Sequence, residues 1–312
     1  MTREAKGWWL GLLGVTLFAL TLPMTRLAVG PADAPQLPPL FVTAGRAVVA
    51  ALCSTAYLLW MRAARPVGAQ WRALAICGAG TAIGFPLFLA LALRDVPASH
   101  AAVITGVLPL GTAVAAALVL RQRPAAGFWA CAALGCVLVL AYAAWRGGGT
   151  WHAADGWLLL SVVCTSIGYV YGARLATQMP SQQVISWVLV LALPVTLPLA
   201  LWSRPAQPAA MLATAWMGFA YVSLFSMWIG FFAWYRGLAL GGTMRVSQVQ
   251  LVQPFLSLLF AVPLLGERLD AVTVAFALAV IATVFLGKRM PSGVQPPSSP
   301  APSTPSPRGS QA

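Results

Sequence analysis

Ten apolar stretches, each about the length needed to cross a bilayer, restrict this chain more than any other feature of its sequence. They run approximately over residues 8–28, 39–61, 71–93, 98–120, 126–145, 155–176, 183–202, 212–236, 246–265 and 270–287. A hydrocarbon layer about 30 Å thick is spanned by roughly 20 residues of helix. No water is available there, so each backbone N–H and C=O must find its partner within the chain, and a helix achieves this within one segment. The connections are short and leave no room for a folded domain outside the membrane. Of the 312 residues, 60% are hydrophobic and 8% charged, whereas a soluble domain needs about 25% charged residues to wet its surface. A water-soluble helical protein is excluded on those terms. The expected fold is an all-α polytopic membrane protein with ten transmembrane helices.

The net charge of +13 would point to nucleic acid in a soluble protein. Here the 19 basic residues stand in ones and twos between apolar runs, so the expected partner is the lipid bilayer and not nucleic acid. The run from Trp8 to about Ala28, behind Arg3 and Lys6, is too long for a signal-peptide core and is read as a retained first helix. Basic residues mark the cytoplasmic side of a membrane protein. With the N-terminus inside, the inner set holds Arg3, Lys6, Arg62, Arg65, Arg72, Arg121, Arg123, Arg174, Arg236, Arg245, Lys288, Arg289 and Arg308. The outer set holds Arg26, Arg94, Arg146, Arg204 and Arg268, together with Asp33, Asp95, Asp155, Glu267 and Asp270. Both termini are therefore expected in the cytoplasm of a cell bounded by a bacterial-type inner membrane, which requires an even number of spans.

The chain also repeats itself. An ungapped offset of 145 residues (254 minus 109) lays Leu93 on Leu238, Pro109 on Pro254, Leu120 on Leu265 and Arg123 on Arg268. An offset of 148 lays Trp9 on Trp157 and Arg26-Leu27-Ala28 on Arg174-Leu175-Ala176. The expected organisation is a first five-helix repeat over 1–146, a second over 147–290 and a disordered Pro- and Ser-rich tail over 291–312. Five is odd, so the second copy must enter the membrane upside down. The basic turn Arg121-Gln122-Arg123 and its acidic counterpart Gly266-Glu267-Arg268-Leu269-Asp270 fit that inversion. Inverted repeats with a substrate path between them are a mark of secondary transporters.

The most specific stretch is Trp234-Tyr235-Arg236-Gly237-Leu238-Ala239-Leu240, then Gln253-Pro254, then Leu265-Gly266-Glu267-Arg268-Leu269. It resembles the aromatic–Ala–Leu stretch, mid-helix proline and Gly-Glu-Arg turn of the EamA family in the drug/metabolite transporter superfamily. Arg46, in Thr43-Ala44-Gly45-Arg46, falls where that family has an arginine on its second helix. The resemblance covers nearly all of 8–287 and implies ten helices around a central cavity and transport of small metabolites, often outward. It implies no particular substrate. Gln122 stands where the family often has glutamate, and the second half has no counterpart of Arg46.

At about 100° per residue, Thr105, Pro109 and Thr112 share one helix face. Their mates Gln250, Pro254 and Ser257 share the same face in the second copy, with Ser247 and Gln253 close to it. Uncharged hydrogen-bonding groups are costly toward lipid, and each proline frees a carbonyl by removing a backbone donor. Either this double face lines the substrate path, or its hydroxyls bond their own helices and its amides join helices together. Arg46, several residues inside its helix, either holds a substrate carboxylate or bonds carbonyls and fixes packing. Trp228 and Trp234, from the aromatic group Phe225, Trp228, Phe231, Phe232, Trp234 and Tyr235, are candidates for the path, as is Tyr169. Glu267 and Asp270 are expected to cap the last helix, and His100 is read as an ordinary interfacial residue.

No cofactor or metal site is expected. Cys53, Cys77, Cys131, Cys136 and Cys164 lie in apolar segments without metal-ligand spacing. There is no glycine-rich phosphate loop, so ATP is not the direct energy source. The leading function is a secondary transporter of small metabolites, an exporter working by alternating access. A lipid or lipid-linked sugar flippase is the alternative. An intramembrane lipid-modifying enzyme is disfavoured because two histidines and no mid-membrane carboxylate supply no acid/base pair. The topology is testable with reporter tags: residue 147 is expected outside and residue 290 inside. Tags on one and the same side would overturn the five-plus-five arrangement.

Overall fold

The computed structural model describes residues 2–119, 126–146, 152–176, 178–241 and 247–289. The turn Arg121–Arg123, Arg245 and the tail 291–312 lie outside these residues. Every described element is helical, as the shortage of backbone partners in lipid requires. Helix α1 (Arg3–Ala19) starts at Thr2, whose Oγ1 accepts from the N–H of Ala5 at 3.2 Å, satisfying one of the donors left over at a helix start. It continues, across a break at Leu20, as α2 (Thr21–Val29), which ends on Gly30 at φ +69°. α3 (Pro39–Trp60) opens on a proline, whose missing N–H costs nothing at that position.

The third rod consists of α4 (Ala69–Gly78), a π-helical segment Ala79–Gly84 and α5 (Phe85–Asp95). α6 (Ala98–Thr105) and α7 (Leu108–Val119) form the fourth. α8 (Ala126–Arg146), α9 (Ala153–Ala176) and α10 (Ser181–Trp202) follow. α11 (Ala213–Tyr221), a second π-helical segment Val222–Ile229 and α12 (Gly230–Gly241) make another composite rod. A 3-10 stretch, Ser247–Val252, leads into α13 (Gln253–Leu265), and α14 (Ala271–Arg289) closes the described chain.

Among the described residues, seven helices are long and apolar enough to cross a membrane: Ala5–Val29, Pro39–Trp60, Ala69–Asp95, Ala98–Val119, Ala153–Ala176, Ser181–Trp202 and Ala213–Trp234. Three shorter apolar helices, Trp129–Tyr142, Gln253–Leu265 and Ala271–Thr283, stand beside them. Exposed tryptophans sit at helix ends: Trp8 and Trp9 near the start of α1, Trp60 at the end of α3 (81% exposed), and Trp202 at the end of α10 (79%). An indole is apolar on its rings and polar at its N–H, and so settles at the level of lipid headgroups.

The rods pack in antiparallel pairs through small residues. In the α1–α12 pair, Gly14 lies against Trp234 and Gly237 against Gly11. Thus rising numbers on one helix meet falling numbers on the other. The third rod and α9 pair the same way, Gly80 facing Cys164 and Phe88 stacking on Trp157. So do α8 and α14, where Gly135 meets Thr283 and Tyr142 Oη lies 3.2 Å from Thr273 Oγ1. Lipid offers helices no hydrophobic drive to associate, so close backbone approach supplies the attraction. Two apolar clusters result. One gathers Leu37, Val96, Ala98, Ala154 and Ala215 at one end of the bundle; the other gathers Val15, Leu74, Leu175 and Val184 at the opposite end.

One expectation changes. Asp270 does cap α14, its Oδ1 accepting from the N–H of Thr273 at 2.7 Å. Glu267 instead reaches across to α6, where its two oxygens accept from Ala98 N–H at 2.7 Å and Ser99 N–H at 2.8 Å. Gly266, left-handed at φ +66°, ends α13 and turns the chain there. α6 follows Pro97 and has no side-chain cap of its own, so its free N–H groups are open to the carboxylate.

The packing gives a paired prediction. A Cβ on Gly80 would come within 2.3 Å of the Cys164 carbonyl oxygen, whereas one on Gly156 meets nothing within 4 Å. Gly80→Ala should therefore cost about 1–3 kcal/mol and lower the melting midpoint of the purified protein. Gly156→Ala should leave it unchanged or raise stability by up to about 1 kcal/mol. Equal midpoints for the two variants would refute the close approach of α9 to the π segment.

Candidate functional site

Where the helices are irregular, polar side chains meet at a cavity. Pro23 has no N–H to give the carbonyl of Ala19, and Ser257 Oγ donates to that oxygen at 2.9 Å from α13. Beside it Tyr221 Oη donates to the Leu17 carbonyl at 3.1 Å. Thr21, the first residue after the Leu20 break, places its Oγ1 2.7 Å from Ser226 Oγ, inside the second π segment. Pro109 and Pro254 each stand second in a helix that restarts, α7 and α13. Gly106–Val107 lies before one and the 3-10 stretch before the other.

The cavity has two adjoining lobes that share Phe18, Thr21, Phe85, Leu108, Tyr169 and Gln253. The first, with about 560 Å³ of space between atoms including its mouth, is completed by Thr105, Thr112, Gln250, Pro254 and Ser257 among others. The second, about 440 Å³ counted the same way, adds Arg46, Thr81, Thr165, Ser226, Met227 and Phe231. The lining mixes residues from both apolar clusters, Leu108 packing against the one and Tyr169 against the other. That places the lobes between the two ends of the bundle.

Of the residues singled out in the sequence, Arg46, Thr105, Thr112, Tyr169, Gln250, Gln253, Pro254 and Ser257 are brought together on this cavity. The side chains of Pro109 and Ser247 lie outside those described. Thr105 Oγ1 donates to its own helix at the Ala101 carbonyl, 2.7 Å away, as the packing alternative expected. Thr112 Oγ1 is buried without a partner among the described residues. Trp228 and Trp234 line neither lobe. Trp234 is buried against Gly14 on α1, and Trp228 tilts against Phe232 with ring centroids 5.1 Å apart.

Arg46 is 2% exposed. Its Nη2 donates to Ser226 Oγ at 3.0 Å, which ties it to the Thr21–Ser226 contact. Nε and Nη1 are buried and have no hydrogen-bond partner among the described residues. Sequence reading missed Phe18, Thr21, Phe85, Leu108, Thr81 and Ser226 as lining. The threonines and the serine carried a signal, being polar interruptions in apolar runs beside Pro23, Pro86 and the aromatic group. The phenylalanines and leucine carried none.

A second polar pair corrects the reading of His100. Its Nε2 lies 2.7 Å from Asp155 Oδ1, joining α6 to the first turn of α9, with His100 4% and Asp155 1% exposed. The ring also lies 5.1 Å from that of Tyr142. A start-of-helix histidine is interfacial only if no neighbouring helix covers it; here α8 and α9 both do. Its partner is 55 residues away, which no local pattern reports.

The comparisons with known proteins follow the whole chain. Residues 5–143 and 152–287 each match the EamA-like transporter family. An uncharacterized transporter, YdeK of Bacillus subtilis (strain 168), is 43% identical over 289 residues, 93% of this chain and 99% of that protein. A solved crystal structure aligns with a TM-score of 0.62 at 19% identity, covering 92% of this chain and 99% of the other, which speaks for the fold.

The His100–Asp155 pair yields a stability prediction. Asp155→Ala leaves a buried imidazole without its partner, a loss on the order of 3 kcal/mol. A melting-midpoint measurement in detergent should register it as a clear drop. A fall equal to that of an exposed-site control such as Asp33→Ala would dismiss the pair as structurally neutral.

Proposed function

Because the chain belongs to the EamA-like transporter family, a class of membrane transporters, we propose that it is a secondary exporter of small metabolites working by alternating access. Two inverted five-helix repeats, 1–146 and 147–290, rock about the cavity between them. The seven long spans and the three shorter apolar helices make the ten crossings. Both termini face the cytoplasm of a bacterial cell.

One observation carries the reading: the cavity lies midway between the apolar ends of the bundle and is walled from both halves. Thr21, Phe85, Leu108 and Thr112 come from the first, Tyr169, Gln250, Gln253 and Ser257 from the second. Two features support duplication. One family pattern fits each half, and the π segment Ala79–Gly84, moved by the 145-residue offset, falls within the π segment Val222–Ile229. Inversion is supported by antiparallel packing of the first rod on the eighth, the third on the sixth and the fifth on the tenth. Copies entering from the same side would pack these pairs parallel. Polar contacts between the halves, Glu267 on α6 and His100 on Asp155, hold one end of the bundle shut. Substrate exit at that end requires both to part. Release and re-formation of such contacts around a fixed central site is how a repeat pair exposes it alternately.

The direct test is counterflow in proteoliposomes, with a panel of amino acids, nucleobases and amphiphilic cations as competitors. At least one compound of the panel should exchange. Leu108→Trp, which fills the space shared by the two lobes, should cut that exchange at least tenfold while the protein still folds and inserts. Gln250→Ala should lower it more mildly. Undiminished exchange by Leu108→Trp removes this cavity as the path, and scrambling of a lipid probe without competition from the panel favours a flippase.

A further inference from the structure

Arg46 is the only charged side chain among the described residues lining either lobe. It stands eighth in α3, about 10 Å along the helix from its start. Burying a guanidinium that deep is unfavourable unless its charge is met. The protein meets it incompletely. Ser226 Oγ, a neutral hydroxyl, takes Nη2 at 3.0 Å, and Nε and Nη1 are left without an acceptor among the described residues. No carboxylate among the described residues lines either lobe to balance it. By contrast, the half-buried Arg26 donates to the carbonyls of Leu93 and Arg94, and the buried His100 meets Asp155.

We infer that the cavity takes a small monocarboxylate, its anionic group held by Arg46 and its apolar body lying against Phe18, Phe85 and Leu108. The inference rests on the cavity being the substrate path. A single positive charge is neutralised by a single negative one. A phosphate dianion would leave excess negative charge among apolar walls, and a cation would find no counter-ion. Arginine donors suit a planar carboxylate, and hydrogen bonds between ionised partners are stronger than neutral ones. Gln253 borders both lobes and Gln250 the far one. Their amides offer a donor and an acceptor to one further uncharged polar group on the same molecule.

The test is binding by the purified full-length protein in detergent at pH 7.5, read as a saturable rise in melting midpoint. The probes are matched acid–amide pairs, 3-phenylpropionate with 3-phenylpropionamide and 4-methylpentanoate with 4-methylpentanamide, and inorganic phosphate. At least one acid should bind at least tenfold more tightly than its amide, and phosphate should not bind. Arg46→Gln should lose the acid at least tenfold, with Arg46→Lys in between. Equal binding of acid and amide, no binding of either acid, or unchanged acid binding by Arg46→Gln overturns the inference. Should Arg46→Gln fail to fold, the acid-to-amide ratio of the unaltered chain decides. Binding is read without transport, so a chain that binds an acid yet exchanges neither it nor any compound of the panel in proteoliposomes fails the proposed function, whereas one that exchanges a panel compound but binds neither acid fails this inference alone.

Discussion

Backbone hydrogen bonding in a medium without water governs this molecule. It forces each apolar stretch into a helix, and it makes any interruption of a helix costly unless other groups take over the freed donors and acceptors. The interruptions here do not fall at random. The Leu20 break, the two π segments, the Gly106–Val107 break and the 3-10 stretch before α13 all contribute residues to one cavity. Proline starts most of them: Pro23, Pro86, Pro109 and Pro254 each withhold an N–H from a carbonyl one turn earlier. Ser257 shows how such a carbonyl is satisfied, since it crosses from the second half to reach Ala19. Cavity and irregularity thus share a cause. A regular helix keeps its backbone N–H and C=O groups paired within itself.

The same accounting separates Arg46 from Glu267, His100 and Thr81. Glu267 is met by two N–H groups of α6, His100 by a carboxylate, and Thr81 by the carbonyl of Cys77 at 2.7 Å. The Glu267 and His100 contacts join helices at one end of the bundle, and the Thr81 bond stays within its own rod. Arg46 has one hydroxyl for Nη2 and, among the described residues, no acceptor for Nε or Nη1. A group left in that state is costly to the resting protein.

Close packing makes both arrangements possible. Gly14, Gly80, Gly168 and Gly237 bring backbones of different rods within van der Waals reach, and that attraction replaces the hydrophobic drive that lipid withholds. Each of these contacts joins a rod of the first half to a rod of the second. The two halves of the sequence therefore interlock through tight seams around the cavity.

The sequence by itself determined the class of fold, because the number and length of apolar runs leave a chain of this composition no aqueous alternative. It also placed Thr105 with Thr112 and Gln250 with Ser257 on polar helix faces, because helical periodicity is local. It identified Arg46 as out of place in lipid without telling whether packing or a ligand meets its charge. Only the tertiary structure decided which polar groups face one another. Thr21 with Ser226, His100 with Asp155 and Glu267 with α6 are separated by 205, 55 and about 169 residues. Trp228 and Trp234, stronger aromatic candidates than Tyr169 in the sequence, were separated from it by packing, which sends Trp234 into the seam with Gly14. Periodicity fixes a side chain's direction around its own helix; what stands opposite depends on how the helices are arranged, and no local pattern encodes that.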